Sequence, residues 1–375
     1  MKKLRIASFI SGLYTIPPEK GVIFAPMLIA KHIAEGLTKK GHKVYFFAPK
    51  GSSLKVTKII NGNLPPFFKK RKSNPIVKSS YVGVNEYHKI INLWEQYLLA
   101  LIYKKANQGE FDIIHIHPID RALPLALSSK IPTIYTLHDP LYSWRAKIFK
   151  IFESRNQHLI SISNAQRKPA PNLNWLDTIY NGLDLKLFPF SKKPKNHLLF
   201  LGRILPTKGP DIAIKAAMKA REKLIIAGLP KEGNFWEKRI KPYLNKNIKY
   251  VGNVPYEKTY KYYGQAKAAI FPIQWQEPFG LTFIEAMACG TPVITFDRGS
   301  AREVIKNGKT GFIVKNINEM VRAMKKIDQI DRRECRKWVE KKFTIEKMVE
   351  NYEKVFYKAL PRIKNLSSLR SAEPH

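Results

Sequence analysis

The fold is decided by the stretch Glu277-Pro278-Phe279-Gly280-Leu281-Thr282-Phe283-Ile284-Glu285-Ala286-Met287-Ala288-Cys289-Gly290-Thr291-Pro292. The short apolar run 268–272 precedes it and has the composition of a buried parallel strand. Within the stretch, Leu281, Ile284 and Met287 recur at helical spacing, and Gly290 followed by a proline ends the helix. The pattern therefore predicts a strand, a loop and a short helix, which is the repeating unit of an α/β domain.

The two glutamates of this stretch occupy different places. Glu277 is expected on the loop at the carboxyl end of the strand, where ligands bind in open α/β sheets, and Glu285 lies about one turn inside the helix. The free amides and the dipole of a helix amino terminus favour a phosphate, and carboxylates accept hydrogen bonds from hydroxyl groups. Taken alone, the residues favour a sugar nucleotide as ligand no more than they favour two structural glutamates in an ordinary βα unit.

Alternating strands and helices are predicted along the whole chain. The predicted strands of a first sheet are 4–10, 43–48, 112–117, 133–138, 158–163 and 175–180, and those of a second are 197–203, 223–227, 248–251, 268–271 and 292–296. Residues 50–82 are basic and weakly periodic, and we interpret them as an excursion from the sheet. The chain is predicted to form two Rossmann-like α/β domains with parallel sheets whose strand ends face a cleft.

The chain is strongly basic, with 66 Lys and Arg against 29 Asp and Glu and a net charge of +37. Residues 1–184 carry 27 of these cations against 11 acids, or +16, which leaves +21 for residues 185–375. Because the excess is spread over both halves, we expect a general attraction to anions and no specific nucleic-acid surface. The densest run, 67–72, joins two phenylalanines to four cations, which is typical either of an anchor on an anionic membrane or of a solvated loop.

Cysteines and apolar runs indicate the compartment. Cys289 and Cys335 are the two cysteines of the sequence, so no disulfide framework is expected and a reducing compartment is favoured. Arg5 interrupts the apolar amino-terminal run and no cleavage site follows it, which argues against a signal peptide. No run approaches the roughly 18 apolar residues of a membrane span. We expect a cytoplasmic protein, and peripheral contact with the inner face of the cell membrane stays open.

The spacing Glu277-x7-Glu285, with Glu-Pro-Phe-Gly at its start and Ala-Cys-Gly-Thr-Pro-Val at its end, resembles the signature of the retaining glycosyltransferases of family 4, which have the GT-B fold. The resemblance implies that Glu277 holds the hydroxyls of the donor sugar and that Glu285 holds the ribose. It also implies that four further residues lie at the sugar and phosphates of the donor: Phe279, Gly280, Leu281 and Thr282.

A second motif lies in the loop 202–209, after the first strand of the second domain. Arg203 and Lys208 are five positions apart around a turn and can contact one anion, although two cations in so basic a chain are also expected by chance. In the resembled family, Arg-x4-Lys-Gly at this place is the diphosphate clamp, and the resemblance implies that it offsets the charge of the leaving group without a metal. The absence of an Asp-x-Asp pair from the sequence fits that mechanism.

Two further positions are matched to the family. His138 ends a predicted strand, so its side chain is expected at the cleft, where the family's donor-site histidine contacts the sugar; a capping pair with Asp139 is the alternative. His117, at the end of another strand, is a candidate on the acceptor side. Gly21 stands before the first helix, where the resembled family usually has two adjacent glycines that let the backbone approach the phosphate or the acceptor. Only one glycine is present here, and Lys20 is a candidate to compensate for the missing one.

The resemblance assigns residues 1–184 to an acceptor-binding domain and residues 185–342 to a domain that binds the nucleotide sugar. Residues 343–375 are assigned to a helix that crosses back to the first domain and to a tail. The donor substrate is expected to be a nucleoside diphosphate sugar, UDP before GDP, with no further cofactor and no metal site. The acceptor stays open between a glycan, a lipid and a small molecule, with cell-surface polysaccharide or glycolipid synthesis as settings.

The expected reaction is the transfer of a hexosyl group to an acceptor hydroxyl with retention. No side-chain nucleophile is evident, so front-face displacement is favoured over a covalent intermediate. Two alternatives stay open: a sugar-nucleotide epimerase of the same fold, and a polyanion- or nucleic-acid-binding protein without enzymatic activity.

Overall fold

The computed structural model describes residues 2–19, 22, 24–68, 84–230 and 233–360. Within these residues the chain forms two wholly parallel sheets, one of seven strands and one of six. Each sheet is covered by helices that alternate with its strands along the chain. The prediction of two Rossmann-like α/β domains is therefore confirmed.

The first sheet has the spatial order β3-β2-β1-β4-β5-β6-β7. Its strands are β1 (Arg5–Phe9), β2 (Lys43–Phe47), β3 (Lys58–Ile60), β4 (Ile113–Ile116), β5 (Thr133–Thr136), β6 (Gln157–Ser161) and β7 (Trp175–Thr178). Its helices are α1 (Ala25–Lys39), α2 (Val84–Asn107), α3 (Ile119–Ala126), α4 (Ser143–Ile151) and α5 (Asn164–Arg167). The central strands are buried on both faces, which explains why they are continuous apolar runs in the sequence.

The interpretation of residues 50–82 as an excursion from the sheet was wrong in one part. Lys58–Ile60 pairs in parallel with β2, so that Ile59 lies opposite Phe46. A three-residue edge strand that contains a lysine gives no periodic signal, and its place is fixed by pairing with a distant strand.

The second sheet has the order β10-β9-β8-β11-β12-β13. Its strands are β8 (Leu198–Leu201), β9 (Leu224–Ala227), β10 (Ile248–Tyr250), β11 (Ala268–Phe271), β12 (Val293–Phe296) and β13 (Gly311–Val314). Its helices are α6 (Pro210–Ala220), α7 (Asn234–Arg239), α8 (Thr259–Gln265), α9 (Leu281–Ala288), α10 (Ala301–Val304), α11 (Ile317–Lys325) and α12 (Arg332–Lys342). The sequence did not predict β13, a four-residue edge strand that begins at a glycine.

The last described helix, α13 (Ile345–Ala359), contributes to the core of the first domain. Val349, Tyr352 and Phe356 are buried in one apolar cluster with the inner face of α1. At the same contact, Nε2 of His42 lies 2.9 Å from a carboxylate oxygen of Glu353. The far end of the chain thus completes the domain in which the chain begins, while residues 361–375 lie outside the described part.

Candidate active site

Glu277 lies on the loop that follows β11, with 12% of its side chain exposed. Its Oε2 accepts hydrogen bonds from Nζ of Lys208 at 2.6 Å and from Nε1 of Trp275 at 2.9 Å. The same Nζ lies 4.6 Å from the centroid of the Trp275 ring, within the range of a cation–π contact. No described residue donates to the other carboxylate oxygen, so Oε1 can accept a hydrogen bond from a ligand hydroxyl.

Lys208 reaches Glu277 because two loops pack closely. Gly209 has a φ of +71°, and a Cβ at this position would lie 2.2 Å from the carbonyl oxygen of Pro272, so glycine is required for the approach. The amide of Gln274 donates to the carbonyl of Thr207 at 2.8 Å and joins the same two loops. The sequence assigned Lys208 and Glu277 to separate parts of a ligand and did not predict that they would contact each other.

Arg203 lies in the same turn as Lys208, at the carboxyl end of β8. Its side chain is exposed and forms no hydrogen bond or ion pair with the described part of the chain. A guanidinium can fork two oxygens of one anion, so Arg203 is available to a ligand in a way that the paired Lys208 is not.

The amino terminus of α9 supplies the backbone part of the site. Gly280 is its N-cap residue, and Leu281 and Thr282 form its first turn. The first amides of a helix have no acceptor within the helix and suit an anion. Phe279 differs, because its ring is buried, with its centroid 5.8 Å from that of Phe343. Its backbone is therefore the part of Phe279 that a ligand could contact.

Glu285 is buried on the inner side of α9, and its Oε2 accepts a hydrogen bond from the hydroxyl of Tyr263 at 3.0 Å. Burial raises the pKa of this carboxyl to about 7, against the opposing effect of hydrogen bonds from Tyr263 and Tyr256. Glu285 also lines an interdomain cavity of about 40 Å³, to which α1 contributes Ile29 and His32. A carboxyl group that titrates near neutral pH thus faces the space between the two domains.

His138 follows β5, at the carboxyl end of the first sheet. Its Nε2 lies 2.7 Å from Nδ1 of His117, and the two rings stack with centroids 5.0 Å apart. Burial lowers the pKa of His138 to about 4, and burial also holds the pKa of His117 well below its usual value. Both rings are therefore neutral near pH 7. The alternative of a cap formed with Asp139 is wrong, because that carboxylate turns to Arg145, 3.7 Å away.

His117 is buried, and its Nε2 has no hydrogen-bond partner in the described structure. Behind it lies His115, whose Nε2 is 2.9 Å from the hydroxyl oxygen of Thr136. Within the described ranges, no group of three or more His, Cys, Asp or Glu side chains is arranged to hold a metal. His117 and His138 form a stacked, hydrogen-bonded pair, and the ring of His115 packs against His117 with centroids 4.4 Å apart.

Two predicted sites fall at or beyond the limits of the described residues. Gly21 and Lys20 lie outside them, as do the four cations of the run 67–72. The two phenylalanines of that run pack against the protein. Phe67 is fully buried, with its ring centroid 5.5 Å from that of Trp94, and Phe68 stacks on Tyr14 at 5.1 Å.

Three aromatic residues of the site were not predicted from the sequence: Trp275, Tyr256 and Tyr263. Trp275 stands two positions before Glu277, so an indole donor near the carboxylate could have been suspected from the sequence alone. Neither tyrosine stands within 20 positions of Glu285, and both are placed by tertiary packing.

Comparison with known proteins agrees with this geometry. Residues 29–187 match the model of the Glycosyltransferase Family 4 and residues 186–343 the model of the Glycosyl transferases group 1. An uncharacterised glycosyltransferase of Methanocaldococcus jannaschii is 28% identical over 268 residues, which are 65% of this chain and 75% of that protein.

Two solved structures show the same fold. Sucrose-phosphate synthase from Thermosynechococcus elongatus superposes with a TM-score of 0.73 at 17% identity, covering 94% of this chain and 98% of that one. The Anabaena protein HepE, solved in complex with UDP-glucose, superposes with a TM-score of 0.65 at 17% identity, covering 95% of this chain and 100% of that one. The two domains described above therefore have the GT-B arrangement.

Proposed function

The chain belongs to the glycosyltransferases of family 4, and from this premise we propose that it transfers a hexosyl group from a UDP-sugar to an acceptor hydroxyl with retention of configuration. The observation that carries the proposal is the cluster at the carboxyl end of β11. There Glu277, a hydrogen-bond acceptor for sugar hydroxyls, is in contact with Lys208, a cation for the diphosphate. The complex of HepE with UDP-glucose supports uridine as the nucleoside of the carrier.

Each part of the donor has a complementary group in the site. Oε1 of Glu277 would accept hydrogen bonds from the sugar, and Arg203, Lys208 and the first amides of α9 would hold the diphosphate. Glu285 would accept from the ribose at the edge of the interdomain cavity. These cations and amides neutralise the charge that develops on the leaving diphosphate, so we propose a reaction without a metal.

The chemical step follows from this placement. The bond between the anomeric carbon and the diphosphate oxygen breaks, and the acceptor oxygen forms its bond on the same face of the sugar. The leaving phosphate takes the proton of the acceptor hydroxyl. His138, neutral near pH 7, would stabilise the transition state by a hydrogen bond and not as a cation. A glycosyl group trapped on an Asp or Glu side chain would contradict this front-face mechanism.

We place the reaction in the cytoplasm, with a glycan, a lipid or a small molecule as acceptor. An epimerase would use the same donor site, but it would release a free epimer in the absence of any acceptor. A polyanion-binding protein would instead bind nucleic acid with an affinity that falls by orders of magnitude from low to moderate salt.

Calorimetric titration with UDP, GDP and their glucose, N-acetylglucosamine and mannose conjugates tests the proposal. We expect saturable binding of a uridine compound by the wild type and much weaker binding by Lys208→Ala and Glu285→Ala. Lys241→Ala is the matched control, because Lys241 forms an exposed ion pair with Glu237 in the same domain at 2.9 Å. Absence of binding to every nucleotide, or equal losses in the control, would overturn the donor site.

A further inference from the structure

Helix α4 exposes a continuous apolar stripe. Trp144, Ile148 and Ile151 are 61%, 39% and 73% exposed, and their spacing of four and three positions places them on one face of the helix. Tyr142, which is 51% exposed, extends the stripe just before the helix begins. Single exposed apolar side chains are common, but three on one helix face, with a fourth just before the helix, mark an interaction surface.

The opposite face of α4 is firmly attached to the domain. Phe149 is buried in the core of the first domain, and the guanidinium of Arg145 donates to both carboxylate oxygens of Asp120 at 3.0 and 2.9 Å. The stripe is therefore presented by a helix whose orientation is fixed, and packing within the described part of the chain leaves it facing outward.

The charges around the stripe identify the chemistry of its partner. Residues 142–155 carry four cations against one acid, and the acid, Glu153, pairs with Lys150. Lys147 lies on the same face as the stripe and is exposed, as is Arg155 beyond the end of the helix. An apolar stripe with tryptophan and tyrosine at one end and cations along its border is the pattern of a helix that lies in the headgroup region of an anionic membrane.

A second copy of the chain is a poorer partner for this surface. Two copies that met along α4 would bring together two cationic segments on chains that each carry a net charge of +37. Like charges that face each other across an interface oppose association. An anionic lipid surface has the opposite charge and also accepts the apolar side chains.

We propose that the α4 stripe, formed by Tyr142, Trp144, Ile148 and Ile151, docks the protein on an anionic lipid surface. The helix begins five positions after His138, and Arg145 contacts Asp139 beside that histidine. Docking would therefore bring lipid headgroups close to the carboxyl end of the first sheet. The proposal concerns the surface alone, and UDP titration reports separately on the donor site.

Flotation of the full chain with vesicles tests the stripe. Vesicles of phosphatidylcholine alone are compared with vesicles in which phosphatidylglycerol replaces part of the phosphatidylcholine. We expect the wild type to float with the anionic vesicles and Trp144→Gln/Ile151→Gln to partition at least roughly tenfold less, because two large apolar side chains no longer enter the lipid. Met218→Gln is the matched control, since Met218 is 49% exposed on α6 of the second domain and should have no effect.

Two results would overturn the proposal. Equal flotation of the wild type and the double variant would mean that net charge alone attracts the protein to lipid. A dimer that the double variant converts to a monomer in sedimentation without vesicles would make the stripe a contact between copies. Unchanged thermal unfolding and UDP affinity establish that the variant folds; if it does not fold, Ile151→Gln, at the most exposed position of the stripe, carries the same comparison.

Discussion

Nζ of Lys208 and Oε2 of Glu277 lie 2.6 Å apart although the two residues are separated by 69 positions in the chain. Both side chains are largely shielded from solvent, so water and salt screen this pair less than they screen an ion pair on the surface. A diphosphate bound at the amino terminus of α9 would share Lys208 with Glu277. The groups proposed for the sugar and for the phosphates are therefore coupled before the donor binds.

This coupling predicts different effects of two substitutions. Lys208→Met should weaken the binding of UDP by roughly 1.5–3 kcal/mol, since a charge-assisted contact with phosphate is lost. Glu277→Gln should leave UDP affinity unchanged or slightly raised, because UDP carries no hexosyl group for that carboxylate and Lys208 is released from its ion pair, and should lower the rate of transfer from the UDP-sugar. Calorimetry with UDP and turnover with the UDP-sugar measure the two effects. Equal losses of UDP affinity in both variants would contradict separate roles.

Glu285 should make the folded protein less stable as the pH rises. Burial raises the pKa of its carboxyl from 4.5 to about 7, so the folded state keeps a proton that the unfolded chain releases in this range. The stability contributed by Glu285 is thus present below pH 4.5 and is lost as the pH rises to about 7. The wild type should lose about 3 kcal/mol of unfolding free energy between pH 4.5 and about 7, and Glu285→Gln should not show this loss. Urea unfolding of both proteins at several pH values measures it, and parallel pH dependences would refute it.

His138 should give the opposite pH dependence. Burial lowers its pKa from 6.5 to about 4, so the unfolded chain binds a proton that the folded state excludes. The stability contributed by His138 is complete above pH 6.5 and falls as the pH falls toward 4. His138→Asn should flatten this part of the stability profile. In addition, kcat should show no inflection near pH 6.5 that depends on His138; an inflection in the wild type that His138→Asn abolishes would show that the ring titrates during turnover.

The sequence predicts those parts of the molecule that short-range patterns specify. The central strands are continuous apolar runs because both faces of a parallel sheet are covered, and α9 could be bounded because Gly280 and Gly290 flank its helical spacing. The pairing of β3 and β13 could not be predicted, because short edge strands are fixed by their neighbours and not by their own composition.

The partners of the site residues were beyond the reach of the sequence for the same reason. The contact between Lys208 and Glu277 depends on how closely the loop at Gly209 approaches Pro272. The neutral state of His138 depends on its burial beside a histidine from another strand. Spacing along the chain identifies which side chains stand at strand ends, but not which of them touch or how far burial shifts their pKa values.

Glu303 joins the two domains. It lies in α10, and its two carboxylate oxygens accept hydrogen bonds at 2.7 Å from the amides of Asn164 and Ala165, at the start of α5 in the first domain. One of them also accepts from the hydroxyl of Tyr180 at 3.0 Å. The side chain of one domain thus caps a helix of the other, and its loss should loosen the contact between the domains.

We expect Glu303→Ala to increase the radius of gyration in solution scattering and to raise the KM for the donor. The same substitution should lower the free energy of unfolding by about 1–3 kcal/mol, because two backbone amides lose their acceptor. Glu319→Ala is the matched control, since Glu319 accepts from the amide of Lys315 at 2.8 Å within the second domain. An equal change in the radius of gyration for both variants, or none for Glu303→Ala, would rule out a specific role of Glu303 in the domain contact.

The close packing of α1 against α13 should require a residue without a side chain at Gly36. A Cβ at Gly36 would lie 2.5 Å from Cγ2 of Val349, which is buried and, being β-branched, cannot swing away. Gly36→Ala should therefore be destabilising by about 1–2 kcal/mol although alanine is the better helix former, because the overpacking outweighs the gain. The double variant Gly36→Ala/Val349→Ala should lose less free energy of unfolding than its two single variants lose together. In contrast, the losses caused by Gly36→Ala and by Val321→Ala, in α11 of the second domain, should be additive. Urea unfolding measures both cycles, and additivity in the first would mean that α13 does not pack on α1 at this distance.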